Sequence, residues 1–193
     1  MATGPFPRAG DLMRKITFGG AISLDNFIAR KDGAYDWIMW SDEAAGVMAD
    51  YWKTIDTILM GRKTYEVALR NSKGKSPSGG MRLYVFSKTL KPADHRDATI
   101  VPGDAVEFVR NLKSQPAAAG QPAKDICLMG GGELANSLFE AGLIDEIGFI
   151  IHPLLLGSGI PLYHPMSRQL NLELLESKTY KNGCVYVRYR VKP

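Results

Sequence analysis

Two segments of this chain place glycine where an apolar run gives way to a helical pattern: LMGRKTYE from Leu59 to Glu66, and LMGGGELA from Leu128 to Ala135. The first amides of a helix have no partner inside it and the helix dipole is positive there, so such a junction suits a phosphate. Lack of a Cβ on Gly130, Gly131 and Gly132 permits close approach of a ligand to the backbone. A tight turn without a ligand would use the same glycines. Arg62, directly after Gly61, adds a guanidinium able to make charge-assisted bonds to phosphate oxygens. Gly130, Gly132 and Ala135 also fit the loose G-x-G-x-x-A dinucleotide fingerprint. That fingerprint needs an acid at the end of the next strand, where the chain instead reads Ile150, Ile151, His152, Pro153.

A second group of residues could serve proton transfer and the exclusion of water. Asp42 and Glu43 open a helix, where they either deliver a proton or face solvent and complement the dipole. Phe27, Ile28, Trp37 and Trp40 lie in one long connection; the two tryptophans suit lids over a flat heterocycle, and suit core or interface anchors equally. Asp25 reads as a loop-fixing residue. His95, His152 and His164 are widely separated and are expected in surface or turn roles. Cys127 lies in an apolar strand and reads as a buried thiol. Neither cysteine has metal-ligand spacing, so no metal site is expected.

The elements that must position these groups follow from periodicity and turn chemistry. Strands are predicted over Lys15 to Ile22, Thr57 to Met60, Arg82 to Phe86, Thr99 to Val101, Asp125 to Met129, Glu146 to Ile151, Leu170 to Glu176 and Cys184 to Val191. Helices are predicted after the cap Ser41, from Lys63 to Leu69, from Ala105 to Lys113 with an Asp104/Glu107 capping box, and from Glu133 to Ala141, ended by Gly142. Ser23 to Trp40, Asn71 to Gly80 and Ser114 to Lys124 read as loops. Alternating strands and helices argue an α/β fold of three layers, α/β/α, with a mostly parallel central sheet and a C-terminal antiparallel hairpin.

Length and charge narrow the class. At 193 residues the chain suits one domain, 14–193, behind a leader, 1–13, that reads as a disordered extension of a cytoplasmic protein. Lys and Arg number 24 against 20 Asp and Glu, and the net charge of +4 is scattered, which opposes a nucleic-acid partner. The longest apolar run, Phe149 to Leu156, is broken by His152 and Pro153, which opposes a membrane span. The exposed edge of the C-terminal strands predicts a homodimer.

Taken together, AISLDNFIA (Ala21 to Ala29), MGRKTYE (Met60 to Glu66), FSK (Phe86 to Lys88) and GGGELANSLFEAGLIDEI (Gly130 to Ile147) resemble the dihydrofolate reductase superfamily. The nearest branch is the bacterial one related to the C-terminal reductase domain of riboflavin biosynthesis. The resemblance implies NADPH as cofactor. It places Ala21 and Ile28 at the nicotinamide, Gly61, Arg62 and Thr64 at a cofactor phosphate, Ser87 and Lys88 at the adenosine 2′-phosphate, and Gly130, Gly131, Gly132, Glu133 and Leu134 at the pyrophosphate. Riboflavin-pathway reductases usually carry a lysine in an SLDGK motif, whereas this chain has Asn26 and Phe27 there. The superfamily's helix acid has no gap-free match, since counting from the two flanking motifs lands on Ser41 or Ala45. The implied activity is hydride transfer to a small pterin-like or pyrimidine-like heterocycle, with Phe27, Trp37 and Trp40 at the substrate. The alternative is a non-catalytic nucleotide-binding or regulatory protein on the same fold.

Overall fold

Short β-branched runs alternate with amphipathic helices, and the computed structural model, which describes residues 14–73, 75–115 and 124–192, assembles them around a central sheet. The elements are β1 (Ile16–Ser23), β2 (Phe27–Ala29), α1 (Asp42–Lys53), β3 (Ile55–Gly61), α2 (Arg62–Asn71), β4 (Arg82–Phe86), β5 (Thr99–Val101), α3 (Ala105–Ser114), β6 (Asp125–Met129), α4 (Gly132–Glu140), β7 (Glu146–His152), β8 (Ile160–Pro161), β9 (Leu172–Thr179) and β10 (Val185–Val191). The eight-stranded sheet has the order β5-β4-β3-β6-β1-β7-β10-β9. Strands β5 to β7 of that order are parallel, and β10 and β9 complete it as an antiparallel hairpin. The α/β fold read from the sequence is therefore the one found. The proposed leader, 1–13, lies outside the described residues, as does most of the linker before β6.

Successive side chains of a strand point to opposite faces, and each face takes its own helices. On one side Phe18, Leu59, Ile126 and Leu128 pack with α3 and α4 through Leu112, Leu138 and Phe139. On the other, Ile58, Met60, Leu83 and Val85 meet Tyr65 of α2, while Ala44 of α1 packs with Ile150 and Cys184. Burying one such large apolar side chain contributes roughly 1.5 to 3 kcal/mol. Phe18, Leu59 and Leu128 are each at most 1% exposed, so the inner strands are fixed in register by the core.

The helix starts follow their capping chemistry. Ser41 accepts from the Ala44 amide, and Asp104 accepts from the Val106 and Glu107 amides. Asp104 thus makes the forward half of the expected capping box. Two buried cations tie distant elements together: Arg14 donates to Asp56 and Thr57 of β3, and Lys113 of α3 meets Asp145 at 2.6 Å. Asp145 also accepts the Ile16 amide at 2.7 Å, which sets the start of β1.

Within the stretch read as a loop from Ser23 to Trp40, β2 forms a separate two-stranded sheet with β8. Three residues of strand are too short for a periodic signal; the pairing depends on a partner far along the chain.

Candidate active site

A cavity of about 930 Å³ opens at the carboxyl ends of β1, β3, β4 and β6, where ligands of open parallel sheets bind. It lies at the upper end of the usual range for small-molecule sites. Both glycine junctions face it. Gly61 is the N-cap of α2 and Gly131 the N-cap of α4, and neither helix start has a side-chain cap. Their first amides therefore remain available to a ligand.

The second junction is built around glycine for steric reasons. Gly130 and Gly131 have φ of 67° and 60°, in the left-handed region that side chains disfavour. Thr64, on the first turn of α2, occupies the space a Cβ on Gly130 would need. A Cβ on Gly132 would stand 2.6 Å from the Leu162 carbonyl oxygen and 2.9 Å from His164 Nε2. Packing thus demands glycine at Gly130 and Gly132, and the left-handed backbone favours it at Gly130 and Gly131, while the uncapped amides at the start of α4 are chemically suited to an anion.

The rim is basic. Lys31, Arg62, Lys63 and Lys88 line the cavity, against Glu133 as the one carboxylate among the described lining residues. Arg62 donates to Glu66 at 2.8 Å, one turn along α2, and that pair is part exposed. Ser87 Oγ accepts from the Thr89 and Leu90 amides at 3.2 and 3.1 Å, fixing the turn that presents the exposed Lys88. Ala21 of β1, Ile28 of β2, Leu134 of α4 and Ile38 supply apolar wall. The loop around Tyr35 closes one side, where the Tyr35 hydroxyl accepts from Asn71 at the end of α2.

Behind this wall the turn after β1 is locked to the loop after β7. Ser23 Oγ donates to Asp25 at 2.6 Å and accepts the Phe27 amide at 3.0 Å. Asp25 accepts the Leu156 and Gly157 amides at 3.1 and 2.7 Å, and with Ser23 these bonds hold its carboxyl below the usual range. The loop-fixing role read for Asp25 is therefore played within its own turn, through Ser23, and across the fold, through Leu156 and Gly157.

The structure gathers Ala21, Ile28, Gly61, Arg62, Thr64, Ser87, Lys88, Gly130, Gly131, Gly132, Glu133 and Leu134 around this one cavity. It leaves the expected substrate and proton groups outside the lining. Asp42 and Glu43 are exposed on the first turn of α1, and Glu43 accepts the Lys181 amide at 3.0 Å. The reason is that α1 spends its apolar face, through Ala44, on Ile150 and Cys184. Trp37 is 8% exposed and stands edge-on to His152 at 5.3 Å, a core anchor, while Trp40 is 80% exposed. Phe27 turns onto the backbone of Gly159. Two histidines also differ from expectation: His152 is 1% exposed, and His164 lines the cavity. Lys31, Lys63 and Tyr35 were not singled out by sequence; of these only Lys63, inside the MGRKTYE motif, carried a local signal. No group of three His, Cys, Asp or Glu among the described residues could hold a metal ion, and no helix among them is long and apolar enough to cross a membrane.

The family model of the RibD C-terminal domain matches residues 14–186. This chain belongs to the RibD C-terminal domain family. It is 32% identical over 186 residues to the uncharacterized protein YyaP of Bacillus subtilis strain 168, an alignment covering 91% of this chain and 94% of YyaP. A Shewanella sp. PV-4 protein provisionally named for riboflavin biosynthesis superposes with a TM-score of 0.77 at 24% identity, covering 94% of this chain and all of that one (100%). The Thermotoga maritima protein named as a diaminohydroxyphosphoribosylaminopyrimidine deaminase and 5-amino-6-(5-phosphoribosylamino)uracil reductase superposes with a TM-score of 0.66 at 15% identity. There the match covers 93% of this chain and 57% of the other. These likenesses establish the fold. Asn26, in the segment that resembles the SLDGK motif, has a φ of 64°, in the left-handed region, and Phe27 follows it.

Proposed function

We propose that this protein is an NADPH-dependent reductase of a small planar heterocycle, pterin-like or pyrimidine-like, acting as a single domain, 14–193. The observation that carries this reading is the convergence of two uncapped glycine helix starts and four cationic side chains on one cavity whose inner wall is apolar. When bound, NADPH supplies the hydride. Gly61, Thr64 and Gly130 to Leu134 hold its phosphates, with Nε2 of His164 beside Gly132 as a further donor. Arg62, Ser87 and Lys88 select the 2′-phosphate. Ala21, Ile28 and Ile38 keep water from the nicotinamide and bring the reacting faces together.

Phe27 in place of the family lysine supports a substrate other than the riboflavin-pathway intermediate. The proton needed to complete reduction of a C=N bond comes from water admitted to the cavity, because Asp42 and Glu43 stand outside it. Both cysteines are free and buried, in keeping with the reducing cytoplasm. A homodimer follows from the β10–β9 hairpin, where Leu172 and Leu174 are 44% and 54% exposed.

Calorimetric titration of NADPH and NADH, with Arg62→Ala and Lys88→Ala beside the wild type, tests the cofactor reading. NADPH is expected to bind at least about tenfold more tightly, the equivalent of one charged hydrogen bond, and each variant to lose mainly that difference. Equal affinities would overturn it. The position of Asp42 and Glu43 also favours the non-catalytic nucleotide-binding reading, and that reading wins if NADPH binds but no heterocycle in a pterin and pyrimidine panel oxidises it.

A further inference from the structure

The loop from Tyr35 to Met39 presents two side chains to the cavity, and the Trp37 ring and the Met39 amide to His152 behind it. Tyr35 and Ile38 line the cavity. Between and beside them, Trp37 packs edge-on against the His152 ring at 5.3 Å, and the Met39 amide donates to His152 Nδ1 at 3.2 Å. His152 is the last residue of β7, 1% exposed, and pairs in the sheet with Ser23 of β1. Asn182 reinforces the same point by donating to the Met39 carbonyl at 3.4 Å. The cavity wall is thus held from its far side by one imidazole on a rigid central strand.

We propose that His152 is a positioning residue: by accepting the Met39 amide and supporting Trp37, it fixes the Tyr35 and Ile38 wall of the cavity and thereby tunes ligand affinity without touching the ligand. The link to affinity rests on the cofactor and substrate reading above; the link to loop order does not. Accepting the Met39 N–H requires a lone pair on Nδ1, so the lock exists only with a neutral imidazole. The groups facing the ring are consistent with that state. The Cys184 thiol lies 3.3 Å from Nδ1, Trp37 covers the ring edge, and Tyr180 packs with Cys184 in the cluster behind it. No carboxylate bonds to the ring among the described residues, and burial pushes the imidazole below its usual value.

The folded chain binds this proton more weakly than the unfolded one, so the stabilisation is complete above the ordinary imidazole value of about 6.5. It is lost as pH falls from there toward the lowered folded value.

The test compares wild type, His152→Leu, which keeps bulk and removes the acceptor, and His152→Asn, whose side-chain oxygen stands near the Nδ1 position. Amide hydrogen exchange follows residues 35–40, calorimetry follows NADPH, and thermal unfolding reports global integrity. In His152→Leu the Met39 amide is expected to exchange at least tenfold faster and NADPH to bind several-fold more weakly, with unfolding still cooperative. His152→Asn is expected to restore most of the Met39 protection. Wild type should lose protection of residues 35–40, relative to the intrinsic exchange rate, as pH falls below about 6.5, and His152→Asn should not. Unchanged Met39 exchange in His152→Leu overturns the proposal, as does a released loop with unaltered NADPH affinity. Should His152→Leu fail to fold, the wild-type and His152→Asn pH profiles decide alone. Wild type that binds no NADPH while the exchange pattern holds would sink the cofactor reading and leave the His152 lock standing.

Discussion

Thr64 and Gly130 belong to different helix junctions, yet the Thr64 side chain fills the space in which Gly130 would carry a Cβ. The two phosphate-type turns are therefore one object: the start of α2 is seated on the loop that leads into α4. This contact separates the three consecutive glycines. Gly130→Ala meets both a φ of 67° and the Thr64 side chain, whereas Gly131→Ala meets a φ of 60° with its nearest neighbour, Thr64 Oγ1, at 3.7 Å. A disfavoured backbone conformation costs about 1 to 3 kcal/mol, and overlap adds to it. Gly130→Ala is expected to lower the unfolding free energy more than Gly131→Ala and to weaken NADPH by at least about tenfold. Chemical denaturation and calorimetry on the two variants check this; equal effects would show that the Thr64 contact is unimportant.

Under the proposed function, Glu66 would compete with the cofactor for Arg62. Their 2.8 Å bond spans one helical turn and is partly exposed. Such pairs are worth only about 0.3 to 0.5 kcal/mol. Glu66→Gln is accordingly expected to tighten NADPH by about twofold and leave NADH unchanged. A loss of NADPH affinity in this variant would mean that Glu66 orients Arg62 toward the phosphate and does not compete with it.

Asp42 and Glu43 are exposed and outside the cavity lining, so under the proposed function neither is the general acid. Losing a true general acid lowers rate by about 100-fold or more. Once a substrate is in hand, Asp42→Asn and Glu43→Gln should each keep turnover within about twofold of wild type. A tenfold fall in either would place a proton path through α1 that the fold does not display.

The β10–β9 hairpin carries Leu172 and Leu174 beyond the reach of α3 and α4, at the open edge of the sheet. Uncovered edges of this kind invite pairing. Light scattering is expected to give twice the chain mass at micromolar concentration, and Leu174→Lys to shift the protein toward monomer. A wild-type monomer under those conditions removes the dimer.

What the sequence alone determined was local. The glycine junctions at Gly61 and Gly130 to Gly132, the caps Ser41 and Asp104, and the order of strands and helices were legible because each depends on neighbours a few residues away. The family motifs added part of the cavity lining for the same reason. Tertiary structure decided the rest. Trp37 became a core anchor because β7 places His152 beneath it, and α1 turned Asp42 and Glu43 to solvent because Ala44 found Ile150 and Cys184. β2 exists because Ile160 and Pro161 return to it, and Asp25 found its partners at Leu156 and Gly157, 131 and 132 residues away. No local pattern encodes such encounters, since they arise only when the sheet register brings remote segments to the same end of neighbouring strands.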